Sequence, residues 1–263
     1  MSKICSLASS SSGNSFFLES RGNAILIDAG ISARRITTSL KQLECAEESL
    51  KGILISHEHS DHVAGLTNFL KKRNIPIYST KDVLNEITEK EIVSPSLCRE
   101  IKAGESFYIE NMEITAFKTP HDSTDSVGYR INTPDGHSFA VATDMGHISD
   151  TVIEALKGCE AVILEANYDP DLLRMGQYPY FLKRRISGPE GHLPNSETGK
   201  MARMLVDNGT TAIMLAHLSK HNNNPALASA TVEEALTEAG LFKNTDYRLL
   251  VAPYDTVSDI IRL

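Results

Sequence analysis

His57-Glu58-His59-Ser60-Asp61-His62 places three imidazoles and two carboxylates in six consecutive residues. Side by side they gain little from packing and repel if charged, so a metal cation is the leading reason to keep them together. Neutral imidazole and carboxylate are donors that zinc, manganese and iron accept. No cysteine stands nearby, which argues for an open catalytic site over a closed structural zinc. A lone histidine is more often a surface or satisfied core residue, and Asp61 could simply cap a helix. Neither reading accounts for the whole cluster.

The elements that must position it follow from periodicity. Lys51–Ser56 reads as a short buried strand and Val63–Lys72 has the apolar spacing of a helix, so the cluster sits on a strand-to-helix loop. Alternation along the loop aims His57 and His59 the same way, while the helix start carries Asp61 and His62 to a second centre. Further candidates also follow strand-like apolar runs: Asp28 after Asn23–Ile27, His121 in Thr119-Pro120-His121, Asp144 after Ala142-Thr143, and His217 after Thr211–Ala216. Taken singly, Asp28 or Asp144 could be a turn residue and His121 part of a solvated loop. Together they lie at strand ends, where α/β folds place their chemistry.

The sequence H-E-H-S-D-H fits the H-x-H-x-D-H signature of the metallo-β-lactamase superfamily, and the chain resembles that family over nearly its whole length. The resemblance implies an αββα four-layer sandwich, two mixed sheets with outer helices, as a single domain over residues 1–263. It also implies that His57, His59 and His121 hold one divalent metal ion and that Asp61, His62 and His217 hold a second. Asp144 would bridge them, with Asp28 orienting ligands from behind. Zinc is the first expectation, with manganese and iron as alternatives. Water bridging two metals about 3.5–4 Å apart ionises near neutral pH and would serve as nucleophile.

Within the superfamily, Gly191-His192-Leu193 is followed by a helix-like run over Glu197–Val206 and then by the strand ending at His217, the order found in nucleases similar to tRNase Z. There the histidine of that motif protonates the leaving oxygen, which makes His192 the candidate general acid; a solvated loop histidine is the alternative. Asn195 or Ser196 would cap the helix. The Ser-rich segment Ser9–Ser15, the Gly-His-Leu-x-Asn motif and Leu218-Ser219-Lys220-His221-Asn222-Asn223 resemble the YycJ/WalJ branch, regarded as 5′ DNA exonucleases. Ser10, Ser12, Asn14, Asn195 and Asn222 become candidate substrate contacts, although the Ser-rich loop could equally be a solvated hairpin turn. Pro194 stands where Ser is usual and removes one backbone donor.

Tyr168–Ser187 replaces the inserted domain of RNase J-like enzymes and interleaves Arg174, Tyr178, Tyr180, Phe181, Lys183, Arg184 and Arg185. That composition suits single-stranded nucleic acid, or else a helical hairpin with tyrosines packed inward. The chain as a whole is acidic, −8 from 34 acidic and 26 basic residues, so nucleic acid would need a local basic patch. Cys5, Cys45, Cys98 and Cys159 form no C-x-x-C pair and read as buried thiols of a reducing compartment. No leader-like segment or membrane-length apolar run is read, so the expectation is a cytoplasmic protein without membrane association; that disfavours an exported β-lactamase. A glyoxalase II-like thioester or ester hydrolase shares the metal motif, and a non-catalytic regulatory metal-binding protein is a further alternative.

Overall fold

The computed structural model describes residues 1–263 and contains two seven-stranded sheets. The first comprises β1 (Ser2–Ala8), β2 (Ser15–Ser20), β3 (Asn23–Ile27), β4 (Leu50–Leu54), β5 (Ile77–Thr80) and β6 (Cys98–Ile101). The second runs through β7 (Ser106–Ile109), β8 (Met112–Lys118), β9 (Val127–Asn132), β10 (Ser138–Ala142), β11 (Ala161–Glu165), β12 (Ala212–Ala216) and β13 (Arg248–Val251). A final strand, β14 (Ile261–Arg262), returns to the first sheet beside β1. In each sheet one part is antiparallel and the rest parallel, over β3-β4-β5-β6 and β10-β11-β12-β13. Carboxyl ends of the parallel strands therefore share one rim.

Side-chain alternation divides each strand between two cores. Ile25 and Ile27 of β3 face the space between the sheets, with Phe16, Leu54, Ile131, Phe139 and Ile163, whereas Ala24 and Leu26 face the helices outside. Helices α1 (Ala33–Gln42), α2 (Ser60–Val63), α3 (Leu66–Leu70) and α4 (Lys81–Glu89) follow strands of the first sheet. Those against the second are α5 (Asp150–Leu156), α8 (Asn195–Asp207) and α9 (Pro225–Glu238), with α6 (Pro170–Met175) and α7 (Tyr180–Ile186) forming a separate hairpin. The sheet-packed helices bury residues four apart: Ile36 and Leu40, Val83 and Ile87, Val152 and Leu156, Met201 and Leu205, Val232 and Leu236. The result is the expected four layers.

Three expectations need correction. The helix read over Val63–Lys72 is two short pieces, α2 and α3, broken where the Gly65 N–H leaves the helical pattern to donate to Ala29 O at 2.8 Å. A Cβ at Gly65 would lie 1.9 Å from Ile31 O, so the break is enforced by close approach of the β3 loop. Neither Asn195 nor Ser196 caps α8: Pro194 holds that position, its fixed φ suiting helix entry, and Asn195 is the first helical residue. Finally, Cys5 and Cys159 are buried, but Cys45 and Cys98 are only half-buried; all four are free thiols.

Candidate active site

The loop after β4 and the loop after β8 bring His57, His59 and His121 together. His57 Nε2 and His121 Nε2 lie 3.1 and 3.3 Å from His59 Nδ1. His121 donates its Nδ1–H to Gly191 O at 3.0 Å, which leaves Nε2 as the free lone pair facing its neighbours. Burial pushes His57 and His121 below the ordinary histidine range, favouring the neutral form that binds metal.

A second group forms beside it from the start of α2 and the end of β12. Asp61 Oδ2 lies 3.5 Å from His62 Nε2 and 3.4 Å from His217 Nε2. The outer nitrogens of both histidines meet buried carboxylates: His62 Nδ1 meets Asp28 Oδ2 at 2.8 Å, and His217 Nδ1 meets Glu165 Oε1 at 2.9 Å. Carboxylate partners of this kind fix the tautomer and raise ligand basicity. Asp144 stands between the groups, 3.3 Å from His62 Nε2 and 3.7 Å from His121 Nε2.

Charge decides what the cluster can hold. Burial would push His217 down, but Asp144 and hydrogen bonds to Asp61 and Glu165 outweigh it and push the imidazole up to about 10. His62 moves up likewise: burial is overcome by Asp144, Asp28 and Asp61. The carboxylates thus demand positive charge, and Asp144 Oδ2 is buried with no hydrogen-bond partner. An orphaned carboxylate oxygen beside converging imidazole nitrogens fits a divalent cation.

Backbone geometry shows how the rim aims these groups. Asp28, Asp144 and His217 each follow a strand in the left-handed region, with φ of 61°, 59° and 57°. Non-glycine residues rarely adopt it, and such strain clusters at functional sites. Ser56 N and Oγ donate to Asp28, fixing its carboxylate behind His62.

One residue and one contact escaped the sequence reading. Glu165 ends β11, fully buried, and its Oε1 also accepts from His192 Nδ1 at 2.8 Å, while Oε2 accepts from Met145 N at 2.7 Å. Its signal was available: an acid closing the apolar run Ala161–Leu164, the same pattern that marks Asp28. Arg185 makes a two-point contact with Asp122, beside His121, at 2.5 and 2.9 Å. Nothing in the spacing joins residues so far apart.

The residues expected to touch substrate divide. His192 is partly exposed, its ring 5.2 Å from that of His121 and 5.1 Å from that of His217. Ser12 is exposed at the tip of the first loop, but Ser10 is buried and its Oγ accepts from Ser12 N. Asn14 is fully buried and braces the site: Nδ2 donates to Ser10 O and Asp61 Oδ2, and Oδ1 accepts from Ser9 Oγ and Ser10 N. Ser9 Oγ in turn accepts the His217 N–H at 2.8 Å. Asn195 is fully buried and exchanges amide hydrogen bonds with Asn223; Asn222 is buried against Ser219. Asn14, Asn195 and Asn222 are thus buried and hydrogen-bonded to their neighbours beneath the site, while Ser12 alone of the five is exposed.

Fold and donor set together define a metal-dependent hydrolase. A beta-lactamase superfamily domain model matches residues 23–218, and the chain belongs to that superfamily. Among its relatives, it is 34% identical over 260 residues to the exodeoxyribonuclease WalJ of Streptococcus pneumoniae, covering 98% of this chain and 95% of that one. It is 33% identical over 235 residues to the exodeoxyribonuclease YycJ of Bacillus anthracis, covering 89% of each. In fold it is similar to the metallo-beta-lactamase fold protein YhfI from Bacillus subtilis, with a TM-score of 0.74, 16% identity and coverage of 99% and 98%. No helix is long and apolar enough to cross a membrane.

Proposed function

We propose that the chain is a phosphodiesterase that degrades DNA from the 5′ end using two divalent metal ions, zinc foremost, with manganese or iron as alternatives. His57, His59 and His121 would hold one ion, Asp61, His62 and His217 the other, with Asp144 between them. Bound there, such ions supply Lewis-acid polarisation of a phosphoryl oxygen and lower the pKa of water to near neutrality. The names of the two full-length relatives support DNA as substrate and exonuclease action.

The observation that carries the reading is the His192–Glu165 pair. His192 gives its Nδ1–H to Glu165 Oε1 at 2.8 Å, so Nε2 is the ring atom free to hold a proton at the exposed side of the cluster. A departing 3′ oxygen needs that proton, because an alkoxide is a poor leaving group near neutral pH. A thiolate leaves unprotonated more readily, its acid lying at a pKa of about 8.5, so the pair would be idle in a thioester hydrolase. Asp28 and Glu165 hold His62 and His217 from behind, and Asn14 holds Asp61; these residues position the reacting groups without touching substrate. Ser12, exposed on the Ser-rich loop, is the candidate contact to phosphate.

His192→Ala should lower turnover of a labelled 5′-phosphorylated oligonucleotide by roughly 10²–10⁴-fold with metal content unchanged. Full activity in that variant would remove His192 as proton donor. Thiol release from a glutathione thioester, with labelled DNA left intact under every divalent metal tried, would select the thioester reading instead.

A further inference from the structure

We propose that the cleft in the α6–α7 hairpin is a stacking subsite for a nucleotide of the DNA strand, outside the metal cluster. This assignment rests on the nuclease reading above. The cleft has a volume of about 440 Å³, the size of a small-ligand site, and its walls include Tyr168, Tyr178, Tyr180, Arg174, Lys183 and Arg184. Buried Tyr168, Leu173 and Ile186, with Tyr178 and Leu182 packed on them, give the hairpin a small core of its own.

Its surface is unlike the rest of the molecule. Of six exposed large apolar side chains, three lie on the hairpin, Met175, Tyr180 and Phe181, at 67%, 75% and 74% exposure, and Tyr180 lines the cleft. Residues 168–187 carry four basic side chains and two acidic ones, a local +2 in a chain of −8. Arg184 sits over the Tyr180 ring with its guanidinium carbon 5.9 Å from the centroid and has no carboxylate partner. Lys183 donates to the backbone oxygen of Arg174 and likewise lacks a carboxylate. Arg174 is paired with Asp171 at 3.0 Å, but aromatic faces flanked by the unpaired Lys183 and Arg184 are what a base and its phosphate require. A second copy of this chain is the poorer occupant, since two hairpins of like charge would repel across a two-fold axis.

The hairpin is also tied to the cluster. Arg185 of α7 clamps Asp122 next to His121, and His192 N donates to Ile186 O at 2.8 Å. Ser187, on the cleft wall, precedes His192 by five residues, which bounds their Cα separation below about 18 Å. At about 3.4 Å rise per stacked nucleotide, a short strand spans that distance.

The test uses the metal-loaded protein, with Tyr180→Ala/Arg184→Ala and the conservative Tyr180→Phe compared with the parent. Substrates are a fluorescein-labelled single-stranded oligonucleotide and the small ester thymidine 5′-(p-nitrophenyl) phosphate. The double variant should raise KM for the oligonucleotide at least about ten-fold, leave kcat and small-ester hydrolysis unchanged, and weaken the salt dependence of binding by about one phosphate contact. Tyr180→Phe keeps the ring and should match the parent. A parent that cleaves both substrates beside a double variant with unchanged oligonucleotide KM overturns the subsite. So does an equal loss on both substrates, or a change in sedimentation with the oligonucleotide KM intact, which would make the hairpin a contact between copies. Failure of the nuclease reading would show separately, as a parent inactive on the oligonucleotide.

Discussion

Glu165 joins three parts of the site through one buried carboxylate. It receives the Nδ1–H of His192 and of His217 on Oε1, and the N–H of Met145, next to Asp144, on Oε2. Its own pKa is held down: burial would raise it, but His192 and the hydrogen bonds from both histidines outweigh that. Glu165→Gln keeps the shape but turns an amide N–H₂ toward either the imidazoles or the Met145 N–H, and it removes the charge. Metal affinity and turnover should both fall by roughly 10–100-fold. That joint loss separates it from His192→Ala, which spares the metal, and titration of metal content alongside steady-state kinetics distinguishes the two. Unchanged metal affinity would reduce Glu165 to a partner of His192 alone.

At the scale of elements, the site is a matter of register and close approach. β10, β11 and β12 run parallel with Ala142 opposite Leu164 and Glu165 opposite Ala216, which sets Asp144, Glu165 and His217 side by side at one rim. Gly30 lets the β3 loop press on the start of α2: an added Cβ would lie 1.7 Å from Asp61 O. Gly30→Ala should therefore cost about 1–3 kcal/mol and displace Asp61 and His62, read as a lower melting temperature with reduced metal content. A normal melting temperature with full metal content would contradict this.

The strand ends that carry Asp28, His57, Asp144 and His217 were legible, since alternating or continuous apolar runs need no tertiary information. What those ends face was not. That Asn14 and Asn195 turn inward, that Gly65 divides a helix, and that Arg185 reaches Asp122 depend on contacts between distant segments, which leave no periodic trace. Pro194 stands at the cap of α8, just before its first residue, where a missing N–H is cheap.

For the molecule as a whole, the two groups of proposed ligands straddle the sheets. The first takes His57 and His59 from the loop after β4, the second Asp61 and His62 from α2, and each adds one residue from the second sheet's rim, His121 or His217. A cation bound there bridges the layers and adds its binding free energy to folding, about 2.7 kcal/mol when free metal is a hundred-fold above Kd. Chelation should lower the unfolding midpoint by several degrees, seen by calorimetry with and without chelator. A midpoint indifferent to metal would mean that the ligands do not bridge the layers.

β14 has a consequence for how the molecule comes apart. It follows the whole second sheet in the chain but pairs with β1, so Ile261 is bound to Ile4 across almost the full sequence. The first sheet cannot complete its edge until the second half has folded and delivered that strand, which works as a latch between layers. Loss of either sheet releases the latch and leaves β1 with an open edge, a template for association with other chains. Denaturation should accordingly pass through one transition by both far-UV and near-UV signals, and a chain cut before Ile261 should aggregate more readily than it loses its ability to bind metal.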